Sequence, residues 1–401
     1  MIDFEDAGKK VLSRAKALKI ETISLEKSLG RVLAEDVKAK EPIPPFRKST
    51  MDGYAIRAVD LEEVDDEHPV ILDVIGDLPA GKVSRAKVKP KQAIRIMTGA
   101  PIPEGADAVV KVEDTEKKGE KVLVKRRVDA GANIGEAGED VKKGELILQK
   151  GENIGAPEMG MLASLGFSQV RVTRKPVVAI IPTGDELIEP GAKPRPGKIR
   201  NSNAYALFGL ALKAGAEPKY MGIAPDKKSL LRKKISQAKK ADIVVLSGGV
   251  SVGDYDLVKD QLKAFGVKPV FWQVMIKPGK PIFFGVKNRQ LVFGLPGNPV
   301  SAMLTFELFV KPAIDQLLGR KQVGLKKGKA ILLDDLPLKP GRRQFIRGRL
   351  DQEGLVLQIL PFPFQKSGVL KSMVKSNALI VVPPEIEMME KGEEVEILYL
   401  D

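Results

Sequence analysis

Two stretches of this 401-residue sequence set glycines beside side-chain hydrogen-bonding groups: SGGVSVGD at 247–254 and GLPGNPVS at 294–301. Lacking a Cβ, Gly248, Gly249 and Gly297 let backbone N–H groups come close to an anion, and a helix starting just beyond adds a favourable dipole. Pro299 suits such a helix start, where no N–H is needed. Ser247, Ser251, Asn298 and Ser301 add side-chain hydrogen-bonding groups to the two loops. One glycine loop means little, but two in successive strand–loop–helix units point to a phosphate-bearing ligand. Thr183, Gly184, Asp185 and Glu186 in TGDEL form a third loop, and Asp226, Asp254 and Asp256 add further carboxylates. Helix capping accounts for Asp226 and Asp254. It accounts less well for carboxylates at three of the four strand ends, since carboxylate and phosphate repel unless a cation lies between them. Mg²⁺ bridging phosphate oxygens resolves the conflict.

Lys277 and Lys280 flank Pro278 and Gly279 in IKPGKPIFFG. The pattern reads equally as a hairpin turn with solvated lysines or as two ammonium groups gripping an oxyanion. STMDGYAI (49–56) and RIMTGAPIPEGADAVVKVED (95–114) read, by pattern alone, as β-turns.

Composition narrows the chemistry further. The chain has no Cys and one His, His68, in the charged stretch LEEVDDEHPV. Thiolate nucleophiles, disulfides and cysteine-type zinc sites are excluded, and a serine–histidine triad would have to rest on a solvated loop histidine. Any metal must be held by oxygen ligands. The formal charge of +14 can draw in nucleic acid, anionic lipid or small anions. With 5% aromatics and no RRM, KH or zinc-finger pattern, we expect small anionic substrates and no nucleic acid. No apolar run reaches membrane-spanning length, and the N-terminal stretch has no signal-peptide core, so the expectation is a cytoplasmic protein without a membrane partner.

These loops need a scaffold. Strands PVVAIIP, EPKYMGIA, ADIVVLS and QLVFGLP alternate with helical stretches, which predicts a doubly wound parallel sheet of four strands with crossover helices over about 175–320. Ligands in such a sheet bind at the carboxyl ends of the strands. Residues 3–36 carry a helical pattern ending near Gly30, then an extended stretch. EPIPPFRKST reads as a linker because its three prolines forbid helix. Short strands punctuated by Gly and Pro over 47–135 predict a small β-rich domain. APEMGMLASLG reads as a helix closed by Gly166. Short strands over 323–401 predict a C-terminal β-barrel or sandwich.

At this point the motifs STMDGYAI, RIMTGAPIPEGADAVVKVED, IIPTGDEL, LSGGVSVGDYD, IKPGKPIFFG and FGLPGNPVSAM, in this order and spacing, resemble the MoeA type of molybdopterin molybdenumtransferase. The E-domain of gephyrin belongs to the same family. The resemblance implies a multidomain α/β plus β chain: an elongated linking domain (1–46 and 136–174), an inserted β-rich domain (47–135), a molybdopterin-binding α/β domain (175–322) and a C-terminal β-barrel (323–401). It also implies a homodimer whose active site joins the α/β domain of one subunit to the MDGYA and MTGA regions of the other. By the same resemblance Asp52, Thr98 and Asp140 are active-site residues, and Glu186, Asp226 and Asp256 surround Mg²⁺ and a pyrophosphate. Lys277 and Lys280, with Pro278 between them, grip molybdate. Thr183, Gly184, Asp185, Ser247, Gly248, Gly249, Ser251, Asp254, Gly297, Asn298 and Ser301 cradle the pterin phosphate and AMP. Arg342, Arg347 and Ser372 close over the oxyanion, with Ser372 and Ser376 both open for the last role.

The implied reaction inserts molybdate into adenylated molybdopterin with release of AMP, by positioning and charge neutralisation and without a protein nucleophile. Tungstate, of equal charge and nearly equal size, remains open as the metal substrate. Alternatives are adenylyl transfer to molybdopterin and a non-catalytic molybdopterin-binding scaffold. A molybdopterin adenylyltransferase is the implied upstream partner.

Overall fold

A computed structural model describes residues 1–65, 67–249 and 257–400. Ser251, Asp254 and Asp256 lie outside the described residues. The chain divides into two compact units: Met1–Glu35, Lys150–Gly155 and Gln169–Asp401 form one, Asp36–Gln149 and Ala156–Ser168 the other.

The first unit contains a six-stranded sheet of β1 (Val177–Pro182), β2 (Glu217–Tyr220), β3 (Ile243–Ser247), β4 (Lys268–Gln273), β5 (Pro281–Lys287) and β6 (Gln290–Leu295). Its order is β2-β1-β3-β6-β5-β4. The first four strands in that order run parallel, and they are the four expected from the sequence. Two further strands extend the sheet: β5 runs antiparallel to β6, and β4 runs antiparallel to β5. They escaped the sequence reading because the Pro-Gly turn at 278–279 interrupts the run. A two-residue hairpin follows, in which Asn288 takes φ 55° between the paired Lys287 and Gln290.

Burial explains the β1 sequence. Every residue of β1 after Val177 is buried, as a strand covered on both faces requires. Val178 and Ile180 pack with Leu207 and Ala211 of helix α1 (Asn203–Lys213). Ala179 and Ile181 point the other way, toward Leu231 and Ile235 of helix α2 (Lys228–Gln237). The alternation of side chains along one strand thus assigns the helices to opposite faces.

In the same unit β7 (Lys327–Leu332), β8 (Arg343–Glu353), β9 (Val356–Pro361), β10 (Ala378–Val382) and β11 (Glu394–Tyr399) form the C-terminal sheet. Their order is β8-β9-β7-β11-β10, and pairing of β8 with β10 closes it into a five-stranded barrel. Ile276 and Lys277 pair in parallel with Arg343 and Gln344, at the start of β8. The sheet domain therefore hands its lysine loop directly to the barrel.

The helical pattern over 3–36 is a correction. The α-helix spans Phe4–Leu12, a single 3-10 turn covers Leu25–Lys27, and Ile20–Ser24 is a strand paired with Gln169–Thr173. The β-branched Ile20, Thr22 and Ile23 favour an extended backbone, and the pairing partner lies too far along the chain for local pattern to reveal.

In the second unit a six-stranded sheet runs in the order Ala108–Lys111, Gly53–Ile56, Gln92–Ile96, Val70–Leu78, Lys121–Val124, Thr115–Lys118. A helix, Ala156–Ser164, belongs to the same unit. Among the described residues no helix is long and apolar enough to cross a membrane.

Helix α3 (Pro299–Thr305) continues through a π-helical turn, Phe306–Val310, that buries Glu307. Burial lifts its carboxyl to about 7, against the pull of Lys311 and Lys213. A carboxyl raised on folding binds more protons in the native state, so its contribution is present at low pH. That contribution is lost as pH rises from the unfolded value near 4.5 through about 7. Glu307→Gln is therefore expected to gain stability over the parent at pH 8 compared with pH 5, by up to about 3 kcal/mol. Urea unfolding of both chains at the two pH values checks this.

Candidate active site

The chain leaves β1 to form β2 on one side of the sheet and returns as β3 on the other. The carboxyl ends of β1 and β3 thus flank a topological switch point, where crevices in such sheets open. Three backbone hydrogen bonds tie the loops there. Thr183 N–H donates to Ser247 O at 2.8 Å, Gly184 N–H to Ala224 O at 3.2 Å, and Gly248 N–H to Leu295 O at 3.1 Å. Gly248 has φ 97°, and a Cβ there would lie 2.5 Å from the Thr183 carbonyl oxygen. Only glycine fits. Gly249 also has positive φ, 64°. Asn203, at the start of α1, donates from Nδ2 to Ser247 Oγ at 3.0 Å and to Gly297 O at 2.8 Å. It thereby joins the two glycine loops. A cleft of about 70 Å³ lies between them, lined by Thr183, Glu186, Asn203, Ser247, Gly248 and Gly297.

The acidic residues gather at the same edge. Asp226 N–H donates to Asp185 Oδ1 at 3.1 Å, and Asp185 N–H to Asp226 Oδ2 at 3.4 Å. Two loops 41 residues apart are thus cross-linked by each other's carboxylates. The Glu186 carboxylate lies against Gly184, in the space a Cβ would need. Among the described residues no three acidic or histidine side chains stand close enough together to hold a metal ion. Glu186 and Asp226 are two members of the expected acidic set, and Asp256 lies outside the described residues.

A larger cavity of about 620 Å³ opens where the sheet domain meets the barrel. Lys277, Lys280, Arg342 and Lys366 give its wall four cations, and Asn298 and Ser301 reach it from the second glycine loop. Pro278 and Gly279 also line it. Gly279 has φ 108°, and a Cβ would lie 2.6 Å from Thr305 Cγ2. The lysine loop is therefore pressed onto α3, which favours the positioned reading over the solvated turn. Burial, and then the nearby Arg342 and Lys339, push the Lys277 ammonium below its usual range. Asn298 is the N-cap residue of α3, yet its side chain makes no capping bond.

Arg347 is fully buried and does not line the cavity. Its Nη2 donates to Phe364 O at 3.1 Å, while Nε and Nη1 have no partner among the described residues. Gln365 accepts from Arg347 N–H at 3.1 Å and donates to Arg347 O at 2.9 Å. Arg347 thus holds the rim, since residues 363–367 line the cavity opposite Lys277. Ser372 is also buried, its Oγ donating to Val369 O at 2.6 Å. Ser376 differs: its Oγ is buried without a partner among the described residues.

In the second unit Asp52 and Thr98 meet. The antiparallel pairing of Gly53 with Ile96 sets them side by side. Thr98 donates both its N–H and its Oγ1–H to Asp52 Oδ1, each at 2.7 Å. These two bonds, the side-chain one first, hold the Asp52 carboxyl below its ordinary range. Gly53 is required too, because a Cβ would run into the Val110 carbonyl of the adjoining strand. Asp140 is exposed, and no hydrogen bond of its side chain joins it to Asp52 or Thr98 among the described residues.

Sequence reading missed two contributors. Asn203 passed for a helix-start residue, and only the sheet order reveals its bridge. The rim at 363–367 carried a visible signal in the prolines of PFPF, which break β9 and force the chain outward.

Fold and site together define a doubly wound α/β protein with a cation-lined cavity, an attached closed barrel and a separate β-rich unit. Residues 2–166 match the family description "MoeA N-terminal region (domain I and II)", 179–316 "Probable molybdopterin binding domain", and 329–400 "MoeA C-terminal region (domain IV)". The molybdopterin molybdenumtransferase of Bacillus subtilis is 39% identical over 404 residues, covering 100% of this chain and 94% of the relative. That of Staphylococcus epidermidis is 36% identical over 401 residues, covering 99% and 95%. A crystal structure of the molybdopterin biosynthesis MoeA protein of Pyrococcus horikoshii matches with a TM-score of 0.84 at 37% identity, covering 100% of both chains. A second from the same organism gives 0.87 at 34%, covering 100% of this chain and 99% of the other. The chain belongs to the MoeA family.

Gly248→Ala tests the packing of the strand ends. The clash with Thr183 O and the positive φ together should cost about 2–4 kcal/mol, read as a lowered urea midpoint with an unchanged slope.

Proposed function

We propose that this chain inserts molybdate into adenylated molybdopterin, releasing AMP, as an enzyme of molybdenum cofactor biosynthesis. The observation that carries the reading is the 620 Å³ cavity, whose Lys277, Lys280 and Arg342 face loops of a molybdopterin-binding type of domain. A doubly charged tetrahedral oxyanion suits a wall rich in fixed cations, since the charge is neutralised without reorganisation. Asn298 and Ser301 supply hydrogen-bonding groups to the same space. Arg347 keeps the rim in place, and Ser372 and Ser376 belong to the segment behind it.

The cleft at Thr183, Ser247, Gly248 and Gly297 takes the phosphate-bearing end of the substrate in this reading. The donor set of Glu186 and Asp226 is all oxygen, which fits Mg²⁺. When bound, the ion would neutralise phosphate charge beside these carboxylates. Gly184, Asp185 and Gly249 shape the backbone that holds them, and Ser251, Asp254 and Asp256 fall to the same loop by resemblance. Asp52, Thr98 and Asp140 enter through a second subunit of a homodimer. Asp52, held ionised by Thr98, contributes a fixed carboxylate that orients the substrate. A molybdopterin adenylyltransferase supplies the substrate upstream.

Purified protein given adenylated molybdopterin, Mg²⁺ and molybdate should release AMP, with tungstate run in parallel. No release dependent on the oxyanion overturns the proposal, as does AMP-forming turnover of molybdopterin with ATP instead. Lys277→Ala should lower the rate by about 10²-fold or more, the scale of losing one preorganised charge contact. Mixing Asp52→Ala with Asp226→Ala chains should recover part of the activity if sites are shared across subunits.

The lowered Lys277 value sets a pH test. The ammonium binds the oxyanion only while protonated, so molybdate affinity should weaken with rising pH earlier than for an ordinary lysine. Lys277→Arg should move that decline to higher pH, as followed by calorimetric titration of molybdate.

A further inference from the structure

The amino ends of the same parallel strands surround a second cavity, of about 480 Å³. Asp242 precedes β3 at this end and Gly248 follows it at the other, so this cavity and the cleft at Gly248 stand about 20 Å apart along the strand. The wall comes from the segment after the N-terminal helix, from the residues just ahead of β1 and β3, and from the β5–β6 hairpin.

Its charge is unbalanced. Arg14, Lys16, Lys19, Arg174 and Arg289 line it against one carboxylate, Asp242. That carboxylate is already engaged: it accepts from Arg174 at 2.6 and 2.8 Å and from Val177 N–H at 2.8 Å. Arg14 donates to Lys10 O and Ser13 Oγ, which leaves its charge without a counter-ion. Among the described residues no carboxylate lies within ion-pair distance of Lys16, Lys19 or Arg289. Four like charges around one concavity raise the local potential and favour an anionic occupant.

The frame is rigid and its floor apolar. Leu18, Val286 and Leu317 line the cavity, and Leu18 N–H donates to Leu317 O at 2.9 Å, pinning the basic segment to the body. Lys287–Gln290 pairing and the positive φ of Asn288 fix the hairpin that presents Arg289. The volume lies within the usual range for small ligands, about 300–1,000 Å³. An apolar floor with cations on its rim matches a ligand having a flat apolar body and a phosphate chain.

We propose that this cavity binds a nucleoside di- or triphosphate, at a site separate from the reaction cavity. The phosphates lie on Arg14, Lys16, Lys19 and Arg289, and the base rests on Leu18, Val286 and Leu317. The proposal draws on residues the reaction does not use, so it stands or falls independently of the molybdate reading.

The test is calorimetric titration of the full chain with ADP, using Lys16→Ser/Lys19→Ser/Arg289→Ser as the variant. These side chains are exposed, so the melting temperature should stay at the parent value. The parent should show an ADP site that the variant weakens by at least about tenfold, the scale of one charge-assisted contact. A charge-retaining Lys16→Arg/Lys19→Arg/Arg289→Lys chain should bind within about threefold of the parent. An isotherm unchanged in the serine variant overturns the proposal. Inorganic tripolyphosphate binding as tightly as ADP also overturns it, since the apolar floor would then recognise nothing.

Discussion

The close approach of strand ends at Gly248 is the constraint on which the site depends. Its missing Cβ lets the Thr183 loop and the Ser247 loop lie backbone to backbone, with Thr183 N–H on Ser247 O and Gly248 N–H on Leu295 O. Three parallel strands then end at one level, and Asn203 ties the first helix to both glycine loops. Any side chain at position 248 would separate these loops, and the spacing of every group mounted on them would change. The fully buried β3 behind them keeps that edge stiff, because a strand with no exposed residue has little freedom to shift.

Much of this was legible in the sequence because the responsible interactions are local. Apolar runs such as ADIVVLS followed by Gly-rich loops declare a buried parallel strand and its carboxyl end without reference to distant residues. The pairing of Asp52 with Thr98 was not legible, since the two lie 46 residues apart. Only the register of Gly53 against Ile96 brings them together, and register depends on a strand edge chosen by tertiary packing. The same reasoning covers Ile20–Ser24, whose partner is Gln169–Thr173, and the antiparallel β4 and β5. Family resemblance named Asp52 and Thr98 where pattern alone saw two ordinary turns. The geometry now gives a physical reason for both: the hydroxyl and the amide of one residue hold the carboxylate of the other in its charged form.

Charge is distributed in relation to the sheet. At the carboxyl ends, carboxylates from Asp185, Glu186 and Asp226 sit beside the glycine loops, while cations on Lys277, Lys280 and Arg342 face the neighbouring cavity. Opposite signs set next to one another suit a substrate that carries phosphate at one end and meets an oxyanion at the other. At the amino ends the carboxylate is neutralised internally and cations are left over. The net charge of +14 is therefore not a uniform solvated surface but has concave, oriented components.

Arg347 shows how far this charge placement overrides stability. A guanidinium fully removed from solvent, with two nitrogens unpartnered, costs several kcal/mol relative to an apolar side chain of similar size. Burial alone draws its value down to about 10, yet it stays charged at neutral pH. It has no carboxylate partner among the described residues, so nothing in the fold offsets that cost directly. Two gains remain. Its Nη2 donates to the Phe364 and Lys366 carbonyls of the rim, and its field adds to that of Lys277, Lys280 and Arg342 across a low-dielectric wall. An apolar replacement could fill the space but would supply neither the donors nor the field. On the proposed function, its place in the barrel core follows from what the neighbouring cavity binds rather than from what holds the barrel together.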